Sequence, residues 1–294
     1  TGMSSLGFAR FDDRVAGVPD RFAPKAKHIA HFDIDASEIG KVKPVHWHHV
    51  GRLAPALEAL LSFGQNRQLQ TDFSAWHSHI AELKSTYAMN YDRESELIQP
   101  YAVLEAINRL TGGEAVIATG VGQHQMWAAQ YFDFREPRLW LTSGSMGTMG
   151  FGLPAAIGAQ FAQPGKIVID IDGDASIRMN LGELETVTTY NLPVKVVVLN
   201  NYGDGMVKQW QDLFYEERYS HTEMHNPDFV QLVEAMHCKG FRCTKKADLP
   251  RVMKEFLEHD GPAVLDCLVE KHEHVYPMMP AGKSVKDMVL GDFD

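Results

Sequence analysis

Apolar and polar residues alternate along this chain in two rhythms. Residues 166–172 (KIVIDID) and 194–200 (VKVVVLN) are short, nearly continuous apolar runs rich in β-branched side chains. That is the pattern of strands buried on both faces of a parallel sheet. Further strands are predicted over residues 27–35, 114–119, 138–141, 240–244 and 263–269. Helices are predicted over residues 49–63, where Leu53, Leu57, Leu60 and Leu61 share a face, and over 72–87, 101–110, 123–131, 152–163, 181–190, 228–236 and 249–259. Residues 88–99 are polar and non-periodic and end at Pro100, which marks a linker. Strand, crossover helix and strand repeated this way predict an α/β fold with a doubly wound parallel sheet. In such a sheet ligands gather beyond the carboxyl ends of the strands.

Composition narrows the class. The chain has 294 residues, 45% hydrophobic and 22% charged, which is ordinary for a globular protein and excludes collagen-like and disordered readings. No apolar stretch approaches the ~20 residues of a membrane span. With 28 Lys+Arg against 38 Asp+Glu, a net charge of −10 and no basic stripe argue against nucleic acid as a partner. Cys238, Cys243 and Cys267 cannot form a disulfide framework, and the C-x4-C spacing of the first two is wrong for a zinc knuckle. They read as buried thiols in a reducing compartment. The opening Thr1-Gly-Met-Ser-Ser is neither a signal nor a transit peptide and reads as a cut end.

Three strand-end loops carry the candidate chemistry. The strand at 166–172 leads into Gly173-Asp174-Ala175-Ser176, and the next leads into Asn200-Asn201-Tyr202-Gly203. A carboxylate and an amide oxygen on adjacent strand ends suit one hard cation such as Mg²⁺, though each dipeptide alone is also ordinary turn chemistry. The strand at 114–119 ends in Gly120-Val121-Gly122-Gln123-His124, two glycines opening a helix whose first amides favour an anion. Gln125 breaks the G-x-G-x-x-G dinucleotide pattern. The third loop, residues 143–152, has four glycines around the bulky Met149, which suggests backbone pressed against a flat ligand, with plain loop flexibility as the alternative. The histidines at 46, 48, 49, 77 and 79 fall in segments read as loop and helix, and are expected to be surface or packing residues.

The spacing of Gly173-Asp174 and Asn200-Asn201 resembles the thiamine diphosphate motif. The segments GVGQHQMWAAQYF, TSGSMGTMGFGLPAAIGAQ, DIDGDAS, NLPVKVVVLNN, GMVKQWQDLFYEERYSHT and NPDF closely resemble the acetohydroxyacid (acetolactate) synthase catalytic subunit, most of all its fungal form. RFDDRV and HFDID resemble the end of that family's FAD-binding middle domain.

The resemblance implies a thiamine diphosphate- and Mg²⁺-binding domain over residues 100–275. A partial, Rossmann-like middle domain would cover 1–65, a helix and linker 66–99, and a tail 276–294. Asp174, Asn201 and the Gly203 carbonyl would hold Mg²⁺. Val121, Gly122, Gln123 and His124, with Gly173, Ala175 and Ser176, would cradle the diphosphate. Gly147 and Met149 would meet the pyrimidine, Met149 also wedging between the rings. Met206 and Trp210 would line the substrate pocket, under a mobile lid formed by residues 204–219 and the tail. Arg10, Asp12, Arg14, Val15, Asp33 and Ile34 fall on flavin-touching positions.

The implied activity is decarboxylation of pyruvate and ligation to pyruvate or 2-oxobutyrate, in branched-chain amino acid biosynthesis. A homodimer or tetramer with its active site at the interface, a possible regulatory subunit and a mitochondrial location follow from the same resemblance. The glutamate that activates the cofactor belongs to an amino-terminal domain in that family. No residue here is assigned that role, and Glu183 and Glu185 are expected at the surface. The chain is therefore expected to be a fragment. The alternatives are another thiamine diphosphate enzyme acting on pyruvate, an oxidase or decarboxylase, and a non-catalytic cofactor-binding fragment or paralogue. QMWAAQ and GMVKQWQ favour the synthase.

Overall fold

The computed structural model describes residues 27–41, 43–67, 72–144, 146–278, 280, 283 and 287–291. The chain divides into two compact units, one of Thr1–Asn90 with Tyr276–Asp294 and one of Tyr91–Val275.

The first unit contains β1 (Ala30–Asp33) and β2 (Trp47–Val50), paired in parallel with His31 beside His48 and Phe32 beside His49. This corrects the sequence reading, which took the histidines at 48 and 49 for loop and helix. The ladder runs on until the Gly51 N–H donates to the Asp33 carbonyl at 2.8 Å, and that bond holds 47–50 extended. Helix α1 therefore starts only at Leu53 and runs Leu53–Asn66; α2 follows over Ser74–Thr86. Neither helix buries a residue.

The second unit is a six-stranded, wholly parallel sheet in the order β4-β3-β5-β6-β8-β7. Its strands are β3 (Val116–Thr119), β4 (Trp140–Leu141), β5 (Val168–Gly173), β6 (Lys195–Asn200), β7 (Lys239–Cys243) and β8 (Ala263–Leu268). Every residue of β3, β5 and β6 is buried, as their nearly continuous apolar runs predict, and Asp170 and Asp172 of β5 are buried with them.

Side chains alternate between two cores. Ile117, Ile169, Ile171, Val197 and Leu265 pack on one face under α3 (Pro100–Thr111), α4 (Gln123–Tyr131) and α9 (Leu249–Glu258). Val116, Val168, Val196 and Val198 pack on the other under α5 (Gly152–Ala162), α6 (Leu184–Thr189) and α8 (Phe229–Ala235). Helix α7 (Gly205–Phe214) rises directly from the β6 loop, inside the segment expected to serve as a lid.

Local chemistry fixes several of these ends. Pro100 opens α3, and Gly112 closes it at φ 63°, a left-handed position where glycine carries no steric penalty. Asp228 caps α8 by accepting from the Gln231 N–H. The three cysteines are free and buried. Glu183 and Glu185 are exposed. No helix among the described residues is long and apolar enough to cross a membrane.

Candidate functional site

The doubly wound order brings the carboxyl ends of β3, β5 and β6 side by side, and their loops line a cleft that is open to solvent. The β3 loop contributes Val121, Gly122, Gln123 and His124. The β5 loop contributes Gly173, Asp174, Ala175 and Ser176, and the loop after β6 contributes Asn201 and Gly203. Met149 closes one wall. Gly147, Met206 and Trp210 are not part of the lining. Trp127, Asp204 and Gly205, which sequence reasoning did not single out, are.

Ser176 ties three loops together. Its Oγ accepts the Val121 N–H at 3.2 Å and the Gly150 N–H at 3.0 Å, while Asn180 Nδ2 donates to the Gly150 carbonyl at 2.8 Å. Gly150 sits at φ 79°, and a Cβ there would lie 2.6 Å from the Met179 Cβ, so the turn behind Met149 requires glycine. A second tie runs through Gln123. Its Nδ-equivalent donor, Nε2, reaches Gln209 Oε1 and the Glu273 carbonyl, both at 3.0 Å, and its Oε1 accepts from Asn201 Nδ2 at 3.3 Å. The Asn201 amide is thereby oriented, with its nitrogen engaged and its oxygen available.

Asp174 is almost wholly buried, and burial pushes its carboxyl up to about 6 although hydrogen bonds from Asn226 and Gly203 and the charge of Arg178 oppose the rise. The Gly203 N–H donates to Asp174 Oδ2 at 3.1 Å, which brings the two strand-end loops into contact. Deeper in the sheet, Asp172 Oδ1 lies 3.3 Å from His124 Nε2 and accepts the Gly173 N–H at 2.9 Å. Burial, and then Asp172, raise the carboxyl of Asp170 well above the usual range.

The cleft therefore pairs two kinds of ligand chemistry. The amino end of α4, opened by Gly122, presents unpaired amides to an anion. Facing it are a carboxylate, an amide oxygen and a backbone carbonyl, the hard oxygen set that Mg²⁺ accepts. Among the described residues no three His, Cys, Asp or Glu side chains form a metal-binding group, so the histidines at 46, 48, 49, 77 and 79 do not build one.

The family described as "Thiamine pyrophosphate enzyme, C-terminal TPP binding domain" matches residues 120–267, which hold all three of these loops. The chain belongs to the thiamine pyrophosphate enzymes. Among curated members of the family, it is 47% identical over 291 residues to acetolactate synthase 1, chloroplastic, of Oryza sativa subsp. japonica, covering 96% of this chain and 45% of the rice protein. It is 46% identical to acetolactate synthase 2, chloroplastic, of Zea mays, covering 96% and 46%. It is 45% identical over 294 residues to acetolactate synthase, mitochondrial, of Schizosaccharomyces pombe, covering 96% and 44%. The chain thus spans a little under half the length of the relatives it matches.

Of the flavin positions, Arg10, Asp12, Arg14 and Val15 lie outside the described residues. Asp33 accepts the Asp35 N–H through Oδ1 at 2.9 Å, and Ile34 is exposed.

Proposed function

We propose that this chain is the cofactor-binding portion of an acetolactate synthase, with thiamine diphosphate and Mg²⁺ held in the cleft. The observation that carries the reading is the meeting of Asp174, Asn201 and Gly203 beside the open amino end of α4. A diphosphate bridged by a divalent cation needs both halves of that arrangement, and Asp174, a buried carboxylate pushed up by desolvation, is a group that a bound cation would stabilise as an anion.

In this reading Asp174, Asn201 and the Gly203 carbonyl hold Mg²⁺. The cradle for the diphosphate is Val121, Gly122, Gln123 and His124 with Gly173, Ala175 and Ser176. Gly147 and Met149 meet the pyrimidine. Bound thiamine diphosphate supplies the nucleophilic carbon that lets a 2-ketoacid lose CO₂. Met206 and Trp210 then exclude water, which favours carbon–carbon ligation over protonation. Pyruvate and 2-oxobutyrate are the substrates of this reading. It extends to a multimeric assembly, a regulatory subunit, a flavin near Asp33 and Ile34, and a mitochondrial location. The mitochondrial name of the Schizosaccharomyces pombe relative supports the last of these, while the rice relative is named chloroplastic.

The test is a chimaera in which this chain replaces the matching segment of the Schizosaccharomyces pombe relative. Supplied with pyruvate, thiamine diphosphate and Mg²⁺, the chimaera is expected to form acetolactate, and Asp174→Ala is expected to abolish it. Release of acetaldehyde in place of acetolactate would support the decarboxylase reading instead.

A further inference from the structure

Asn226 lies 52 residues beyond Asp174 in the chain, yet its side-chain Nδ2 donates to Asp174 Oδ2 at 2.6 Å. The same nitrogen donates to Asn200 Oδ1 at 2.8 Å. Its own Oδ1 accepts from Arg178 Nη2. Both amide hydrogens and the amide oxygen are therefore engaged, and the orientation is fixed because a guanidinium can only donate.

The network continues away from the cleft. Asn200 Oδ1 also accepts the Tyr202 N–H at 3.2 Å, and Asn200 Nδ2 donates to Asp266 Oδ1 at 2.8 Å. Asp266 Oδ2 accepts from Arg242 Nε at 3.2 Å. A donor-only guanidinium stands at each end, so every amide between them has one allowed direction.

The consequence falls on Asp174. Two donors, Asn226 Nδ2 and the Gly203 N–H, land on the same oxygen, Oδ2. They leave Oδ1 as the oxygen offered to a cation. A carboxylate limited in this way binds through one oxygen, which suits the small, octahedral Mg²⁺. Ca²⁺ is larger and readily takes a carboxylate through both oxygens.

We propose that Asn226, held by Arg178, is a positioning residue that makes Asp174 a one-oxygen ligand and so sets the cation preference of the site toward Mg²⁺ over Ca²⁺. The inference rests on Asp174 being a cation ligand, as proposed above. It is separate from the identity of the ligands, because Asn226 touches the ligand and not the ion.

The test uses Mn²⁺ as the probe, with thiamine diphosphate present. The electron paramagnetic resonance signal of free Mn²⁺ is titrated against the full chain, and bound Mn²⁺ is then displaced with Mg²⁺ or with Ca²⁺. Asn226→Ala is expected to weaken Mn²⁺ binding about 10–100-fold, as loss of an outer-sphere partner does. It is also expected to raise the effectiveness of Ca²⁺ relative to Mg²⁺ as a displacer. Arg178→Gln, a change at a half-buried position, moves both quantities the same way by less, and carries the test if Asn226→Ala does not fold.

A purely structural role would lower the unfolding midpoint of the metal-free chain and leave the Ca²⁺-to-Mg²⁺ ratio where it was. If Asp174→Ala loses Mn²⁺ while both variants keep wild-type affinity and ratio, the role of Asn226 is overturned and the cation site stands. If Asp174→Ala binds Mn²⁺ as the wild type does, or the wild type does not bind it, the cation site falls and Asn226's role with it.

Discussion

Helices α1 and α9 carry the same apolar spacing and meet opposite fates. In α9, Leu249, Val252, Met253 and Phe256 recur at helical spacing and are all buried against the sheet. In α1, Leu57, Leu60 and Leu61 form an equally regular stripe, yet they are 44%, 47% and 66% exposed. Periodicity states which face a helix would bury, and says nothing of what it is buried against. The second unit supplies that partner in a six-stranded sheet covered on both faces. The described part of the first unit offers the two-stranded β1–β2 pair, an element of marginal stability by itself.

That contrast can be broken by mutation. Phe256→Ala, which empties a fully buried position, is expected to destabilise the second unit by about 3–5 kcal/mol. Leu60→Ala on the exposed stripe should change stability by no more than about 0.5 kcal/mol. Urea unfolding of both variants checks the pair, and equal losses would mean that the α1 stripe is covered in solution.

A smaller effect sharpens the comparison within the second unit, where the cleft is buried like the core but charged. The folded-state value of Asp174, about 6, stands above its ordinary value of 3.8. The folded state then binds more protons than the unfolded state between these values. Metal-free stability should rise as pH falls through 6 toward 4, and the full penalty should be present above 6. Asp174→Asn is therefore expected to stabilise the metal-free chain at pH 7 by about 1–3 kcal/mol, an advantage that disappears below pH 4. Thermal unfolding in chelator at several pH values measures this difference. A variant less stable than wild type at pH 7 would show that hydrogen bonds to the carboxylate outweigh its desolvation.

The parts of the fold legible in the sequence were those dictated by local patterns. The continuous runs of β5 and β6 and the glycine-opened start of α4 are signals carried within a few residues, and α4 was read to its observed limits. β2 was not read because His48 and His49 have no strong strand preference and are held extended by pairing with β1. Helix α7 lies inside the segment that the resemblance assigns to a mobile lid, and no helix is predicted there. In the cleft, GD and NN could be found from spacing, whereas Trp127, a buried core residue that also lines the cleft, carries no local signal of that role. Asn226 had no local signal at all, since its function depends on a return contact with Asp174 across 52 residues.

The central claim is that these three strand ends form one seat for a diphosphate and its cation. Calorimetric titration of the chain with thiamine diphosphate, in Mg²⁺ and then in chelator, tests it most directly. The account predicts binding that requires Mg²⁺ and disappears in Asp174→Ala. Equal affinity in chelator, or undiminished binding by Asp174→Ala, would contradict it.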